Sequence, residues 1–390
     1  MTLYLACMGT RPEIIKMAPV YQALRERGHT VEVLHTGQHE AMADALYEFF
    51  NISPAARLQL QRRSPTLAHL TAELLSGVDE QVQSIAPDAL LVQGDTTSAL
   101  AGALVGFYQD LPVAHIEAGL RTGMHDPFPE EKNRELIGRL AHWHFPPTPQ
   151  AARNLLGEGV PATRIHEVGN TVIDAALWTC DLLQHQKPDE VLPADVADFM
   201  QRHQGKAMLL VTAHRRENWG LKMQRIATAV SGLLQLHADL SVVWPLHPNP
   251  QVGADVRTVL AGLAPAQHER LCLTTPLNYP AMMALLQACR FALTDSGGIQ
   301  EEASALHKPV LILRDSTERQ ELVDAGGARL VGTQVHQIIE DASDLLCDPL
   351  LLTAMQIHPS PFGDGHAARR IADVLCQETA LPSQSERLFA

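Results

Sequence analysis

The feature that most constrains this chain is an alternation of short apolar β-type runs with stretches of helical apolar spacing. In the first part of the chain, strands are predicted over LYLACM, TVEVLH, DALLVQ and PVAHIE, with helical patterns between them. A second series begins near residue 207 and comprises AMLLVT, LSVVWPL, RLCLTT, RFALTD, PVLILR and ARLVG, each but the last pair separated by a helical pattern. Strands that alternate with helices indicate βαβ crossovers and a parallel sheet. The sequence therefore predicts an α/β fold of two doubly wound domains, 1–169 and 170–365.

Chain length and charge narrow the class of protein further. The 390 residues are too many for one ordinary core and suit two domains. The formal net charge of −14 disfavours non-specific nucleic-acid binding, because contact with phosphate needs clustered cations. An acidic chain can still bind an anionic small ligand through locally placed Arg, Lys and backbone N–H groups.

The sequence predicts a cytoplasmic protein with no membrane segment. No apolar run approaches the ~18 residues of a membrane-spanning helix. The N-terminus, MTLYLACMGTRPE, lacks a basic n-region and favours a buried first strand over a signal peptide. The six cysteines form no CxxC pair, which fits a reducing compartment, and they are expected to be free and buried.

Polar motifs follow several predicted strands, at the sheet edge where parallel α/β folds bind their ligands. In MGTRPEIIK, Thr10 and Glu13 form a capping box and Pro12 suits the first helical turn. Arg11 is different, because a cation in the first turn opposes the helix dipole unless an anion binds there. We therefore expect Arg11 to bind an anion, whereas local grounds leave Lys16 undecided.

Candidate catalytic carboxylates lie at strand ends and helix starts. Asp95 in VQGDTTSA could cap the following helix, although either of the next two threonines could cap it equally and leave Asp95 for chemistry. Glu117 ends a strand on a long polar loop, where local structure gives it no task. Glu130 and Glu131 stand in the first turn of a helix, where acids are favoured in any case, so one of them could serve only that purpose.

The first predicted strand of the second domain is followed by three consecutive residues that are cationic or can become so. His214, Arg215 and Arg216 in VTAHRRENWG cannot all face one way, so at least one should meet the ligand cleft. His247 similarly follows a strand, in the rigid loop of WPLHPNP.

The segment LTDSGGIQEEA places two glycines before a helix start. Ser296, Gly297 and Gly298 would leave several backbone N–H groups open to a phosphate, and glycine lets the ligand approach the backbone closely. Dipole compensation would account for one of the early glutamates, Glu301, and Glu302 could bridge the vicinal hydroxyls of a ribose. The segment predicts a nucleotide diphosphate site, although neither GxGxxG nor Walker A occurs.

Metal and serine-hydrolase chemistry receive little support. His142 and His144 form an HxH that could share a strand face, but no third ligand stands at a telling spacing and no CxxC or HExxH occurs. No GxSxG elbow is present. The sequence therefore predicts neither a zinc site nor a serine nucleophile.

Taken together, these motifs resemble the non-hydrolysing UDP-N-acetylglucosamine 2-epimerases. The matching segments, in the family's order and spanning about 9–371, are GTRPEIIKMAPV, TGQH, GDTTSAL, VAHIEAGLRTG, PFPEEKNR, VGNTVIDA, VTAHRREN, HPNP, LTDSGGIQEEA, PVLILRDSTER and GDGHAARRI. The resemblance implies a GT-B fold, in which two Rossmann-like domains face each other across a cleft and a C-terminal helix, about 366–390, returns to the first domain. It also implies interconversion of UDP-GlcNAc and UDP-ManNAc without NAD or any other cofactor, and a homodimer.

The same resemblance implies catalytic roles. Asp95, Glu117 and Glu131 would form the acid/base and cation-stabilising set, with the residue that removes the C2 proton unassigned. His214 would hydrogen-bond or protonate the leaving phosphate.

The resemblance also implies a set of substrate ligands. Arg11 and the SGG segment would hold the diphosphate, and Glu302 would hold the ribose. Met282 stands near the uracil site, where an aromatic residue is common. The full set is Arg11, Lys16, Ser296, Gly297, Gly298, Glu302, Arg319, Leu277 and Met282.

Other positions depart from the family pattern. After TGQH, Glu40 and Ala45 replace a basic residue and a glutamine in a region that helps bacterial members to hold an activating second UDP-GlcNAc. We therefore expect weak or absent activation by UDP-GlcNAc. Gln320 replaces a proline, which could loosen its loop.

Three alternatives stay open from sequence. A GT-B glycosyltransferase would share the diphosphate and ribose ligands but would need an acceptor site and no carboxylate trio. A hydrolysing epimerase would release free ManNAc and UDP. A non-catalytic nucleotide-sugar binding module would not need the retained carboxylates.

Overall fold

The computed structural model describes residues 1–38, 43–61 and 64–377. By its internal contacts the chain divides into two units, the first made of residues 1–175 with the chain from 363 onward, and the second of residues 176–362. Each unit contains one parallel sheet with helices around it.

The first unit is built on a parallel sheet with the strand order β3-β2-β1-β4-β5-β6, which is the order of the Rossmann fold. Its strands in the described residues are β1 (Leu3–Met8), β2 (Thr30–His35), β3 (Ala56–Arg57), β4 (Ala89–Gln93), β5 (Val113–Ile116) and β6 (Trp143–Phe145). The order reverses between β1 and β4, so their carboxyl ends form the switch point at which such sheets bind ligands.

Helices connect these strands and cover the sheet. Those that begin in the first part of the chain are α1 (Arg11–Glu26), α2 (Ala43–Phe49), α3 (Leu67–Ile85), α4 (Thr97–Tyr108), α5 (Glu130–Leu140), α6 (Pro149–Gly157) and α7 (Thr171–Leu183). Helix α7 begins in the first unit and ends in the second.

The second unit repeats this topology, because its order β12-β11-β10-β7-β8-β9 is the Rossmann order read from the opposite edge. Its strands in the described residues are β7 (Ala207–Thr212), β8 (Leu240–Pro245), β9 (Leu271–Thr274), β10 (Phe291–Thr294), β11 (Val310–Ile312) and β12 (Ala328–Leu330). The carboxyl ends of β7 and β10 lie side by side at its switch point.

The helices of the second unit follow the same alternation. They are α8 (Pro188–Val191), α9 (Ala194–Arg202), α10 (Leu221–Leu236), α11 (Pro250–Leu260), α12 (Pro265–His268), α13 (Tyr279–Ala288), α14 (Gly297–Ala305), α15 (Gln320–Asp324), α16 (Val335–Cys347) and α17 (Pro349–Met355). The last helix of the described chain, α18 (Ala367–Gln377), belongs to the first unit.

The predicted doubly wound α/β class is confirmed, with one error in detail. β1, β2 and β7 have the predicted bounds. The prediction that no helix separates the last two strands is wrong, because α15 lies between β11 and β12. Five residues are too few to give a measurable apolar period, and the parallel pairing of β11 with β12 requires a crossover.

The structure also tests the predictions about membrane segments and cysteines. None of their helices is long and apolar enough to cross a bilayer. The six cysteines, each in a described segment, are free, but the expectation that all are buried is wrong, since Cys347 is exposed and Cys376 half-buried.

Helix α18 is attached to the first unit by a buried carboxylate. Asp174, in the first turn of α7, accepts hydrogen bonds from the backbone N–H groups of Ala367 (3.2 Å) and Ala368 (2.8 Å). A carboxylate at a helix N-terminus satisfies donors that have no partner within the helix and complements the dipole. The predicted returning helix is described to residue 377, and its expected remainder, 378–390, lies outside the described residues.

We expect Asp174→Ala to destabilise the protein by about 2 kcal/mol, because two buried N–H groups lose their acceptor. Urea unfolding followed by circular dichroism measures the loss. Asp373→Ala is the control, because Asp373 lies on α18, the helix that Asp174 holds, but forms a half-exposed ion pair with Arg27, which typically contributes less than about 1 kcal/mol. Equal destabilisation by both variants would contradict this account.

Candidate active site

Glu117 follows β5, next to β4 at the carboxyl ends of the first sheet's strands, and side chains from three other segments hold its carboxylate among the described residues. Lys16 Nζ lies 2.5 Å from Oε1, Asn170 Nδ2 donates to the same oxygen over 3.2 Å, and Gln93 Nε2 donates to Oε2 over 2.5 Å. The Glu117 backbone has a φ of 65°, in the left-handed region that a non-glycine residue adopts at a cost. A strained residue held by a cation and two amides points to function rather than to a surface turn.

Asp95 follows β4, and a neighbouring residue takes the capping task. Thr96 is the N-cap of α4, where its Oγ1 accepts from the N–H of Ala99 over 3.0 Å, so Asp95 is left for another role. Asp95 pairs instead with Arg134, whose Nη2 lies 2.7 Å from Oδ2. Burial raises the pKa of Asp95 to about 6, the Arg134 guanidinium opposes that rise, and the charge of Glu117 adds to it.

Glu131 is more deeply buried, and its carboxylate holds the preceding loop. Oε1 accepts from the backbone N–H groups of Thr122 (2.9 Å) and Gly123 (3.0 Å), and Oε2 lies 3.5 Å from Arg134. The side chain is only 1% exposed. Burial works to raise the pKa of Glu131, but these hydrogen bonds and the Arg134 charge outweigh it and hold the pKa below its ordinary value.

A buried carboxylate also fixes the start of α1, which carries Arg11 and Lys16. Glu13 accepts from the N–H of Thr10, which is the glutamate half of the predicted capping box, and also from the N–H of Gly9 and from the Thr96 hydroxyl over 2.6 Å. The starts of α1 and α4 are therefore tied together through one side chain. Burial raises the pKa of Glu13, and the hydrogen bonds it accepts counteract that rise.

In the second unit, Asp295 organises the loop after β7. Its carboxylate, fully buried, accepts from the backbone N–H groups of His214 and Arg215 and from Asn218 Nδ2. His214 Nδ1 lies 3.4 Å from Oδ1 of the same carboxylate. The His214 ring, nearly half exposed, also stacks with His247 at 6.4 Å between ring centroids. Asp295 therefore sets both the backbone and the ring orientation of His214.

The N-terminus of α14 is flanked by cations. Ser296 is its N-cap and Gly297 its first residue, where an added Cβ would lie 3.6 Å from Arg319 Cζ and 3.9 Å from Arg215 Nη2. Two guanidinium groups thus join the positive end of the helix dipole at a position where the backbone carries no side chain. This combination fits an anion such as a phosphate.

The interpretation of Glu301 as helix-start compensation is not what the structure shows. Glu301 is buried in the second turn of α14, and its Oε1 accepts from Arg319 Nε over 2.6 Å. Its charge therefore fixes a guanidinium beside Gly297. Sequence gave no sign of this pairing, because Arg319 is 18 residues away on the loop before α15.

A second acidic residue lies beside the other guanidinium. Glu318 lies 3.6 Å from Arg215 Nη1 and accepts from Arg314 Nη1 over 2.7 Å. Burial works to raise the pKa of Glu318, but the Arg314 hydrogen bond and charge lower it to about 2. Glu318 is therefore an ionised partner that holds Arg215 near α14.

For the remaining predicted residues, the structure gives the burial and the element on which each lies. Glu302 and Leu277 are buried, Met282 is half-buried on α13, and Arg11 is half-buried as the first residue of α1. Gly298 follows Gly297 in the first turn of α14. Ala45 is exposed on α2, whereas Glu40 lies outside the described residues.

The structure therefore groups the predicted residues by unit. In the first, it brings Lys16 to Glu117 and connects Asp95 with Glu131 through Arg134. In the second, it brings Arg319 to the SGG segment and His214 to Asp295. Within the described ranges, no group of three or more His, Cys, Asp or Glu side chains is placed to hold a metal ion.

Sequence reasoning missed the residues that hold these groups. They are Gln93, Arg134, Asn170, Asp295 and Glu318. Arg134 had a usable signal, since it lies one helical turn after Glu131. Asp295 had another, as a charged residue that directly follows an apolar strand. The other three hold site residues that are distant in the chain, since Gln93 and Asn170 hold Glu117, and Glu318 holds Arg215.

Comparison with known proteins finds a family that matches most of the chain. A family model described as UDP-N-acetylglucosamine 2-epimerase matches residues 22–376. A Yersinia pestis protein named UDP-N-acetylglucosamine 2-epimerase is 42% identical over 374 residues, covering 95% of this chain and 97% of that protein.

Solved structures agree on the fold. One from Listeria monocytogenes superposes with a TM-score of 0.88 at 38% identity and 97% coverage of each chain. The Neisseria meningitidis UDP-GlcNAc 2-epimerase bound to UDP-GlcNAc has a TM-score of 0.85 at 37% identity, covering 96% of this chain and all of that one. The predicted GT-B class is thereby confirmed.

We expect Arg134→Gln to raise the pKa of Asp95 by about 1, because an adjacent guanidinium stabilises the ionised carboxylate. Carboxyl ¹³C NMR titration measures the change. Arg139→Gln is the matched control on the same helix, since Arg139 donates to the backbone oxygen of Glu158 instead. A pKa of Asp95 that stays the same or falls in the Arg134 variant would contradict the pairing.

Proposed function

Because this chain belongs to the UDP-N-acetylglucosamine 2-epimerase family, we propose that it interconverts UDP-GlcNAc and UDP-ManNAc by the non-hydrolysing route. One observation carries the proposal. Asp95, with a pKa raised to about 6, lies close enough to Glu117 to feel its charge, and Glu117 is paired with Lys16. Two carboxylates in different electrostatic environments are what a reaction with separate acid and base roles requires.

The reaction begins with departure of UDP from C1 of the sugar. The C2 proton is not adjacent to a carbonyl, so direct removal is unfavourable. Cleavage of the C1–O bond leaves its electron pair on the β-phosphate and gives C1 oxocarbenium character, which acidifies C2–H. A carboxylate then takes the proton, and the C–H electron pair forms the double bond of 2-acetamidoglucal. Protonation from the other face and return of UDP to C1 invert C2 with no net change in atoms.

The first unit supplies the groups that act on the sugar in this proposal. Asp95 and Glu117 are the candidates for proton transfer and for stabilisation of the oxocarbenium charge. Glu131, predicted as a third member of the set, is 1% exposed and engaged with the backbone of Thr122 and Gly123. We therefore assign it to holding that loop and, through Arg134, to setting the charge environment of Asp95.

The second unit supplies the groups that act on the nucleotide. The N–H groups of Gly297 and Gly298 would donate hydrogen bonds to the diphosphate, with Arg319 beside them. The Ser296 N–H already donates to Thr294 Oγ1 over 3.0 Å, so it is not open to a phosphate as the sequence predicted. His214, oriented by Asp295, would hydrogen-bond or protonate the leaving phosphate.

Other nucleotide contacts remain predictions from the family pattern. Glu302 would hold the ribose hydroxyls, and Leu277 with Met282 would line the uracil. Arg11 and Lys16 remain predicted ligands of the anionic groups.

Proton NMR of the purified protein with UDP-GlcNAc in D₂O, without added NAD or metal, tests the function. Deuterium at C2, together with UDP-ManNAc, is the expected result, because the proposed base exchanges the C2 proton with solvent. Glu117→Gln should abolish the exchange, whereas Glu135→Gln, which replaces an exposed carboxylate paired with Lys132, should not.

The alternatives give different products in the same sample. Release of free ManNAc with UDP would identify a hydrolysing epimerase, in which water intercepts the glucal. Absence of both exchange and epimerisation would contradict the proposal and favour a glycosyltransferase.

We also propose that UDP-GlcNAc activates this enzyme weakly or not at all, because the negative charge of Glu40 would repel a second nucleotide sugar. The reverse reaction from UDP-ManNAc should therefore start without added UDP-GlcNAc. A reverse reaction that stalls until UDP-GlcNAc is supplied would contradict this proposal. Glu40→Lys should increase any dependence on UDP-GlcNAc.

We propose a homodimer in the cytoplasm that supplies ManNAc-type precursors for cell-surface polysaccharide, as the family pattern implies. Light scattering after size-exclusion chromatography should give about twice the chain mass of 42.6 kDa. A mass equal to one chain at micromolar concentration would contradict the dimer.

A further inference from the structure

Asp95 and Glu117 each follow a strand that has a buried polar residue two positions before the carboxylate. Gln93 is the last residue of β4 and stands two positions before Asp95, while His115 lies in β5 and stands two positions before Glu117. The strands are parallel neighbours, with Gln93 in register with Ile116. Both side chains are buried, so neither is a surface polar group of the sheet edge.

Gln93 reaches from its own strand to the carboxylate of the other. Its Nε2 donates to Glu117 Oε2 over 2.5 Å. An ionised carboxylate only accepts hydrogen bonds, so this contact fixes the orientation of the amide and places its dipole against the negative charge. Glu117 is thereby held on Oε2 by the strand that leads to Asp95.

His115, on β5, contacts the turn that leads from β4 into Asp95. Its Nε2 lies 2.7 Å from the carbonyl oxygen of Gly94, the residue directly before Asp95. A carbonyl only accepts, so Nε2 carries the proton, and burial lowers the pKa of His115 to about 3, which keeps the ring neutral. Gly94 has a φ of 68°, so this carbonyl belongs to the sharp turn that directs the chain into Asp95.

We propose that Gln93 and His115 form a reciprocal brace that sets the relative position of Asp95 and Glu117. Each strand contributes a buried donor two positions before its own carboxylate, and that donor holds the other strand's carboxylate or turn. The two residues are positioning residues and do not touch the substrate. The inference rests on the proposed function for the roles of Asp95 and Glu117, while the brace itself can be observed without catalysis.

The brace answers a specific structural need. Both turns use left-handed backbone, at Gly94 and at Glu117. Glycine adopts this conformation freely, but at Glu117 it persists only where the surroundings over-determine it. One backbone hydrogen bond already joins the turns, from Gly94 N–H to Ile116 O over 2.9 Å. That bond fixes the strands but not the carboxylate of Glu117 or the carbonyl before Asp95, which the two side chains hold.

His115→Leu and His115→Gln separate positioning from packing. Leucine fills the space without a donor, whereas glutamine keeps an N–H near the position of Nε2. We expect kcat to fall about 100-fold in His115→Leu while KM changes by less than about threefold, because misplacement of a catalytic group acts on the transition state. His115→Gln should recover much of kcat.

The control for this pair is His144→Leu. His144 is a buried histidine on β6, in register with His115, and burial lowers the pKa of His144 as well. In the part of the chain that the structure describes, its side chain is hydrogen-bonded to neither the Gly94 turn nor the Glu117 turn. An equal loss of kcat in His144→Leu and His115→Leu, or no recovery in His115→Gln, would overturn the positioning role.

Gln93→Met tests the hydrogen bond from Gln93 to Glu117 through the pH dependence of kcat/KM. Among the described residues, the groups facing Glu117 include Lys16 from α1, Asp95 from the turn after β4, Asn170 from the start of α7, and the neutral His115. Loss of a donor to the ionised carboxylate raises its pKa, so the acid limb of kcat/KM should move to higher pH. Gln109→Met, which removes an amide bonded to Asp79, is the control. An acid limb that stays at the same pH in Gln93→Met would overturn the role of Gln93 in the brace.

Histidine ¹⁵N NMR of the wild-type protein tests the brace without relying on activity or on a variant that folds poorly. We expect His115 to keep its Nε2–H tautomer with no protonation between roughly pH 5 and 8, with its signal assigned by its loss in His115→Gln. A His115 that titrates in this range, or that carries its proton on Nδ1, would overturn the brace. A protein that shows this tautomer but no epimerisation would refute the proposed function and leave the brace standing.

Discussion

The ion pair between Lys16 and Glu117 is the interaction on which the candidate site depends. Glu117 follows a parallel strand in a left-handed backbone conformation, and a carboxylate there would be costly without a cation. Lys16 comes from α1, whose start Glu13 ties to the start of α4, so Lys16, Asp95 and Glu117 are held in one framework. The chemistry we propose follows from this framework, because it keeps one carboxylate ionised beside another whose pKa is raised.

The second unit has the same topology but a different arrangement of charges. Its Rossmann strand order again brings two strand ends together, but here the buried carboxylate, Asp295, binds backbone donors and faces His214. Cations collect instead at Gly297, where Arg215 and Arg319 are held by Glu318 and Glu301. One fold thus provides a carboxylate-rich edge suited to a developing cation and a cation-rich edge suited to a diphosphate.

Sequence predicted the features that depend on local periodicity and missed those that depend on long-range pairing. The strand–helix alternation and Thr96 as one of two alternative caps follow from spacing and capping chemistry, and both are present. The partners of Glu117 stand at 16, 93 and 170, and no spacing rule connects them. Glu301 was misinterpreted for the same reason, since its partner Arg319 lies on another loop. Short elements such as α15 were missed because five residues show no measurable period.

The central claim is that inversion at C2 proceeds through cleavage of the bond between C1 and the β-phosphate oxygen. UDP-GlcNAc labelled with ¹⁸O in that bridging position tests this claim directly. If UDP leaves and returns, rotation of the freed β-phosphate must move the label into non-bridging positions in recovered substrate and in UDP-ManNAc. Formation of UDP-ManNAc with the label still wholly in the bridge would contradict the account, because C2 would then have inverted without departure of UDP.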